Sequence, residues 1–296
     1  MRRSFAILLL VIATFPIAAG HRNGYYRGGH GLSVSTDDFE PITRCDQIKV
    51  SYDDERVPVV EEDVAIGNVR SLRVRPSHNG GVIVNGDASS YSVKACKAAY
   101  LGGTPSSIRI NVSGETVSAD VPDDTDAVVY FLVRAPRDGS IDLEAHNGPI
   151  TVRDMTNGTI NARTQNGPIC LKDVGGNVTA EAHNGPIAFN GSSGNVKLEA
   201  QNGPISVNLD GNFWSNGSLD ASTHNGPPSL KVPSGYRSGV VVESDGHGPV
   251  NCHAEACRQA KRSWDDDDQR RIELGSGPTA VHLSTVNGPV SVRERD

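Results

Sequence analysis

One five-residue motif recurs along the second half of the chain and limits what the chain can fold into. It consists of His or Gln, then Asn-Gly-Pro, then usually a branched aliphatic residue, and it first occurs at residues 146–150. The steps between its first five asparagines are 19, 18, 18 and 23 residues. A period of about 18–20 residues is typical of repeat folds in which each copy stacks on the previous one.

Each motif is flanked by stretches in which apolar and polar residues alternate. Leu143 and Ala145 enclose Glu144 before the first motif, and Ile150 and Val152 follow its Pro with one residue between them. Successive side chains of a strand point to opposite faces, so this period of two predicts strands with one buried face. Each copy therefore predicts a strand, a corner, a second strand and a second corner.

The direction of the strands depends on the corner. Asn-Gly between alternating strands also predicts an antiparallel hairpin, as in a meander or barrel. The Pro argues against this alternative, because the residue after Gly would donate the hydrogen bond that closes the turn, and Pro has no N–H. We therefore predict an all-β fold, a single-stranded parallel β-solenoid or β-helix with about 18–20-residue coils and two short strands per coil.

Equivalent residues of stacked coils form columns in which neighbours lie about 4.7–4.9 Å apart. We expect the corner asparagines to form a ladder in which each amide bonds the next. The predicted members of this ladder are Asn147, Asn166, Asn184, Asn202, Asn225 and Asn287. The adjacent column contains His146, Gln165, His183, Gln201 and His224, and we predict a hydrogen-bonded structural role for it. Its histidines are two coils apart, too far to share a zinc ion at about 2.0–2.1 Å, so no metal site is predicted.

The first residues predict an exported protein. Residues 1–20 have a basic start, a short apolar run and small residues at the end, which is typical of a secretory signal peptide. Residues 21–44 are rich in Gly and predict a flexible leader. We expect residence in the periplasm, at the cell surface or outside the cell, with no transmembrane anchor in the mature chain.

The remaining chain divides into an irregular and a regular part. Residues 45–137 have a weaker period and predict an N-terminal cap with irregular first coils, or alternatively a small separate β-domain. Residues 138–296 predict the regular Asn-Gly-Pro solenoid, with insertions at 209–218 and 252–271. In the second insertion, residues 254–264 have a helical composition and lead into four aspartates, for which a solvated turn is favoured over a calcium loop.

Five cysteines in an exported chain predict disulfides. Cys45 with Cys96 would hold the cap, and Cys252 with Cys257 would close a short loop, which leaves Cys170 by exclusion. Cys252, His253 and Cys257 also have the form of a partial zinc site, but only three ligands cluster there and an oxidising compartment favours the disulfide.

Net charge and aromatic residues indicate which partners to expect. The chain has 28 basic and 35 acidic residues, and removal of Arg2 and Arg3 with the signal peptide leaves 26 against 35, a net charge of −9. That balance disfavours nucleic acid and anionic membranes as partners. Phe213 and Trp214, within the first insertion, are the candidate contact patch, because loops on a rigid scaffold often bind ligands; an aromatic lid over a coil edge is the alternative.

From about residue 72 to residue 292 the repeats resemble the bacterial β-solenoid family labelled "putative adhesin". The strand-Asn-Gly-Pro-strand units carry this resemblance, above all residues 281–290. The family consists of exported all-β proteins with repeats of about twenty residues and Gly-rich corners, so the resemblance implies adhesion and supplies no catalytic residues.

These patterns predict a non-catalytic, exported adhesin-like or cell-envelope structural or interaction protein without a cofactor. Its expected partner is a surface ligand such as a glycan or an envelope protein, and self-association through an open solenoid end is a further expectation. The alternative is a β-helix protein that binds or cleaves polysaccharide. Cleavage needs two carboxylates on one flank, and the outward positions, such as Asp142, Lys197 and Asp220, contain no repeated pair.

Overall fold

The structure of the protein is a computed structural model, and it confirms the predicted all-β class. The described residues are 26–28, 31–36, 41–246, 248–264 and 270–295. The predicted signal peptide and the four aspartates at 265–268 lie outside them.

A small antiparallel sheet stands at the beginning of the chain. Its strands, in spatial order, are β1 (Tyr26–Gly28), β2 (Leu32–Thr36), β3 (Ile48–Tyr52) and β4 (Glu55–Val57). A 3-10 turn at Cys45–Gln47 precedes β3. The prediction of a flexible leader is wrong for β2, because Leu32 and Val34 alternate with polar residues and are buried.

Among the described residues, the remaining strands form one twelve-stranded and one eleven-stranded sheet. These strands are β5 (Val60–Val64), β6 (Ser71–Arg75), β7 (Val82–Asn85), β8 (Ser92–Leu101), β9 (Arg109–Ser113), β10 (Thr116–Asp120), β11 (Asp126–Arg134), β12 (Ser140–Asn147), β13 (Ile150–Arg153), β14 (Gly158–Asn166), β15 (Ile169–Lys172), β16 (Gly176–Asn184), β17 (Ile187–Gly191), β18 (Asn195–Asn202), β19 (Ile205–Leu209), β20 (Leu219–Asn225), β21 (Pro228–Val232), β22 (Gly239–Ser244), β23 (Val250–Cys252), β24 (Lys261–Trp264), β25 (Arg270–Leu274), β26 (Thr279–Asn287) and β27 (Val290–Glu294). Two further 3-10 turns cover Pro105–Ser107 and Glu255–Gln259.

Consecutive strands from β12 to β21 enter the two long sheets alternately. The twelve-stranded sheet takes β12, β14, β16, β18 and β20, and the eleven-stranded sheet takes the strands between them. Neighbours are parallel and in register, so that Leu143 lies beside Ala162 and Ala162 beside Ala180. The antiparallel hairpin alternative is therefore wrong for these corners, as the Pro after Gly required.

The order of strands in the sheets departs from the order in the chain at both ends. The last pair, β26 and β27, lies between β20/β21 and β22/β23. The early pair β6 and β7 likewise lies between β10/β11 and β12/β13. The final repeat is thus enclosed on both sides, and the expectation that it forms an open end is wrong.

Antiparallel strands cover the outer positions of the twelve-stranded sheet. β9 pairs with β10 at one edge, and β25 and β24 follow β22 at the other. The segment 254–264, whose composition suggested a helix, forms a short 3-10 turn and then β24. Its strand pairing with β25 overrides a weak local helix preference.

One continuous hydrophobic core lies between the two long sheets and extends from Leu72 to Val292. Its members are mainly small or branched side chains, and each that is fully buried contributes roughly 1.5–3 kcal/mol. A second, smaller core joins the antiparallel sheet to the outer face of the eleven-stranded sheet, where Val50 shares a cluster with Ile83 and Tyr130.

Both predicted disulfides are present. Cys45 and Cys96 have their Cα atoms 5.3 Å apart and link the small sheet to β8. Cys252 and Cys257 have theirs 5.7 Å apart and link β23 to the turn that follows it. Cys170 lies on β15 beside Thr151 and takes part in neither disulfide.

The Gly of the motif is required by the close approach of successive repeats. A Cβ on Gly185 would lie 2.1 Å from the carbonyl oxygen of Gly167. The same atom on Gly167 would lie 2.2 Å from the carbonyl oxygen of Gly148. Real side chains cannot tolerate these distances, so any other residue would push the repeats apart.

We therefore expect Gly185→Ala to lower the free energy of unfolding by about 1–3 kcal/mol, the usual cost of a strained backbone site. Gly67 is exposed, and a Cβ on it would meet nothing within 4 Å, so Gly67→Ala is the matched control. Urea unfolding followed by circular dichroism measures both. Equal unfolding midpoints for the two variants would contradict the packing argument.

Candidate functional site: the corner groove

The candidate site lies where the strands of the twelve-stranded sheet turn into the Asn-Gly-Pro corner. On β12, Ala145 points into the core, whereas Glu144 and His146 on either side of it are exposed. The equivalent pair on β14 is Arg163 and Gln165. Two outward columns therefore run side by side across the sheet, and the bend of the chain leaves a depression between them.

We call this depression the corner groove. Its first part has a volume of about 500 Å³ and its second part about 310 Å³, and both contain Glu199 and Gln201. The residues of its two columns are Arg75, Glu144, Arg163, Glu181, Glu199, Ser222 and Ser284 on one side and His146, Gln165, His183, Gln201, His224, Val286 and Asp245 on the other. The groove thus extends from the end of β6 to β26.

The asparagines at the outer edge of the corner form a continuous hydrogen-bonded ladder. Each side-chain amide donates to the side-chain oxygen of the preceding repeat over 2.9–3.2 Å. The ladder contains Asn79, Asn147, Asn166, Asn184, Asn202, Asn225 and Asn287. Asn79 was not among the predicted members, although the His78-Asn79-Gly80 sequence carried the signal.

The inward Thr residues of the corner also have a structural function. The hydroxyl groups of Thr223 and Thr285 donate to the carbonyl oxygens of Gly203 and Gly226 over 2.9 and 3.0 Å. These bonds satisfy the carbonyl groups of partly buried glycines at the turn. Together with the asparagine ladder they hold the corner rigid.

The His/Gln column does not behave as predicted. In the described part of the chain, no side-chain hydrogen bond joins its successive members, so the expectation of a hydrogen-bonded column is wrong. The asparagines already satisfy one another at this corner, and the imidazoles and amides beside them face solvent. His146 instead has a ring contact with His78, at 4.1 Å between ring centroids.

Charged side chains of the groove are neutralised by one another. Arg75 Nε lies 2.9 Å from Glu144 Oε2, and Arg163 Nε lies 3.1 Å from Glu181 Oε2. Lys197, beside the groove, lies 2.8 Å from Glu199. Exposed pairs of this kind stabilise the fold by only about 0–1 kcal/mol each. Asp245 also lines the groove, so its two arginines and four carboxylates, with Lys197 beside them, leave it weakly negative.

Asp142 carries a partly buried carboxylate on this face. Burial opposes its ionisation, but hydrogen bonds from Arg73 Nε at 3.0 Å and Arg75 Nη2 at 3.2 Å outweigh burial and lower the pKa of Asp142. These bonds link β6 to β12, two strands that are distant in the sequence.

His282 holds the inserted strand β26 between its neighbours. Its Nε2 lies 2.7 Å from Glu243 Oε1 on β22, and its Nδ1 lies 3.5 Å from Asp220 Oδ1 on β20. Arg271 also lies 2.9 Å from the second oxygen of Glu243. This cluster connects strands β20, β26, β22 and β25 on the outer face.

The predicted aromatic patch is only half exposed. Trp214 is 6% exposed, packs 6.1 Å from the ring of Phe189, and donates from Nε1 to the carbonyl oxygen of Gly194. It is therefore a core residue, as in the lid alternative, and not a contact residue. Phe213, at 59% exposure, is the member that remains available to a ligand.

Metal clusters and membrane-spanning helices are absent from the described residues. Within the described ranges, no group of three or more His, Cys, Asp and Glu side chains is arranged to hold a metal ion. Among the same residues, no helix is long and apolar enough to cross a membrane.

Comparisons with known proteins place the chain near solved structures of one kind. A cell adhesion protein of Clostridium sporogenes, described as putative, shares 9% identity at a TM-score of 0.31, over 81% of this chain and 100% of that one. A "putative adhesin" of Bacteroides fragilis shares 11% identity at a TM-score of 0.35, over 80% and 97%. A third structure, a "putative adhesin" of Parabacteroides merdae, shares 10% identity at a TM-score of 0.29, over 80% of this chain and 96% of that one.

No protein-family model matches the chain, and no curated protein matches its sequence. Identities to the solved structures are 9–11%, so the function proposed for this chain rests on its own residues.

We expect Asn184→Ala to lower the free energy of unfolding by about 1–3 kcal/mol. The change removes two ladder bonds, and each contributes about 0.5–1.5 kcal/mol. His183→Ala, one residue earlier, is the matched control and should stay within about 0.5 kcal/mol of the parent. Urea unfolding of the three proteins checks this difference; a His183 effect as large as that of Asn184 would contradict the division of roles.

We also expect stability to fall at acid pH partly through Asp142. Because its folded-state pKa is lowered, its stabilisation is fully present above the ordinary Asp value of about 3.9 and is lost as the pH falls through the lower folded-state value. The free energy of unfolding of the parent should exceed that of Asp142→Asn above this pH range, and the difference should disappear as the pH falls through it. Urea unfolding at a series of pH values measures this, with Asp138→Asn, an exposed position, as control. A difference independent of pH would contradict the assignment.

Proposed function

We propose that this chain is an exported, non-catalytic interaction protein, adhesin-like or part of the cell envelope. Its scaffold would be a parallel β-solenoid with two strands per coil, and the corner groove would be its contact surface. The proposed ligand is a long, uncharged polymer rich in hydroxyl groups, of which a neutral linear glycan is the natural example.

The proposal is carried by the row of His and Gln side chains, which make no side-chain hydrogen bond along the groove within the described ranges. Neighbouring strands lie about 4.7–4.9 Å apart, and each strand of this sheet from β12 to β20 adds one imidazole or amide to the row. Both groups can donate as well as accept, which suits hydroxyl groups, since these also do both. A repeated row of such groups suits a ligand that is itself repetitive and extended.

Charge supports an uncharged ligand. Arg75 and Arg163 are engaged by Glu144 and Glu181, so the groove presents no free cationic patch among the described residues. The whole chain has a net charge of −7. An anionic polymer would meet repulsion here, whereas a neutral one would not.

Export is supported by the cysteines. The disulfides Cys45–Cys96 and Cys252–Cys257 are of the kind that persist in oxidising compartments. The pattern at residues 1–20 points the same way. The protein would reside in the periplasm, at the cell surface or outside the cell.

The test is binding of neutral and uronic-acid-containing linear glycans to the exported chain, followed by titration of the best ligand. The groove variant is Gln165→Ala/His183→Ala/Gln201→Ala. Three lost hydrogen bonds of about 0.5–1.5 kcal/mol each should weaken binding by about tenfold or more. The neutral glycans should bind better than the charged ones.

A matched control lies on the outer face of the other sheet. Thr151→Ala/Asn208→Ala/Ser229→Ala also replaces three uncharged polar side chains and should bind like the parent. Phe213→Ala tests the exposed aromatic residue in the same assay. If Phe213→Ala abolished binding and the groove variant did not, the binding site would lie in the 209–218 insertion and not in the corner groove. If neither the parent nor any variant bound a glycan, a ligand-binding role would be contradicted.

Glycan cleavage is the second candidate, favoured by one cluster. The carboxylates of Asp220 and Glu243 lie on either side of His282, and glycoside hydrolysis uses two carboxylates. Release of reducing ends from a bound glycan, lost in Asp220→Asn, would support cleavage. Binding without such release would leave the non-catalytic proposal as stated.

A further inference from the structure

Two histidines that are far apart in the sequence become neighbours in the fold. His78 follows β6, and His146 is the second-last residue of β12; their strands pair in parallel with Asn79 beside Asn147. The two rings lie 4.1 Å apart between centroids with 31° between their planes. Both side chains are exposed at the end of the corner groove.

We propose that His78 and His146 together bind a divalent transition-metal ion such as Zn²⁺ or Ni²⁺. Imidazole nitrogen is a preferred ligand of these ions. Each bond from zinc to an imidazole nitrogen measures about 2.0–2.1 Å, so two nitrogens on one ion lie up to about 4 Å apart. The two rings lie nearly face to face, so each must turn about its Cβ–Cγ bond to direct a nitrogen at a shared ion. Side chains on adjacent strands are close enough for this, whereas histidines two strands apart are not.

Charge beside the pair does not repel a cation. Arg75, which ends β6 shortly before His78, is paired with Glu144 at 2.9 Å and with Asp142 at 3.2 Å. No third His, Cys, Asp or Glu completes a cluster among the described residues, so the remaining coordination positions would be taken by water. The site would therefore be open to solvent and to a groove ligand.

The same column contains its own control. His183 lies between Gln165 and Gln201 and has no histidine on an adjacent strand. A lone imidazole binds these ions weakly, while two held side by side gain from effective concentration. Tight binding would therefore require two histidines on adjacent strands, and a single histidine in the column would not suffice.

The experiment is a calorimetric titration of the full chain with Zn²⁺, repeated on His146→Gln and His183→Gln. We expect His146→Gln to remove the tightest binding event or weaken it by about tenfold or more, and His183→Gln to leave it unchanged. Histidine imidazole NMR with substoichiometric Ni²⁺ should broaden the signals of His78 and His146 before those of His183. Mg²⁺, which prefers oxygen ligands, serves as the negative control and should not bind at the histidine pair.

A rescue variant separates loss of the pair from loss of structure. In a His78→Gln background, Gln165→His places a new histidine between His146 and His183. It should restore Zn²⁺ binding, because adjacent pairs are formed again one strand further along. Circular dichroism and urea unfolding of each variant confirm that the fold is retained.

Three results would overturn the proposal. The first is Zn²⁺ binding that persists unchanged in His146→Gln. The second is an equal loss in His183→Gln. The third is a His78→Gln/Gln165→His chain that folds but does not regain binding.

Discussion

The close contact between successive Asn-Gly-Pro corners is the constraint on which the rest of this structure depends. Backbone amides bond directly from one repeat to the next, as when Gly167 N donates to Asn184 O over 3.0 Å. The asparagine side chains add a second row of bonds in the same direction. A slip of one residue in any strand would break both rows and turn the buried residues toward solvent. The corner therefore sets the register of both long sheets.

The same constraint leaves a surface for function. Because the asparagines satisfy one another, the neighbouring His and Gln side chains are not required by the fold and remain exposed along the corner groove. Ion pairs such as Arg163–Glu181 neutralise the opposite wall. The stacking that stabilises the protein thus also generates a repetitive polar row, whose spacing equals the strand spacing and which suits a repetitive ligand.

Strand insertion at both ends reduces the number of repeats that have an unpaired strand edge. Unpaired strand edges invite association with other chains. Here the last repeat, β26/β27, is enclosed between earlier ones, and the antiparallel strands β24 and β25 cover the edge beyond it. Contacts such as His282 with Glu243 hold this arrangement on the outer face. The outermost segments are therefore irregular in sequence, as capping segments of repeat proteins usually are.

Local patterns in the sequence were sufficient to predict the all-β class, the parallel direction, the asparagine ladder from Asn147 onward and the two disulfides. The first three follow from neighbouring residues or from a fixed period, and the disulfides follow from the five cysteines expected in an exported chain. Only the tertiary structure decided which repeats are neighbours, because every repeat presents an equivalent edge and strand order need not follow chain order. That choice placed His78 beside His146 and extended the ladder to Asn79. It also buried Trp214, since exposure depends on what packs against a loop and not on its composition.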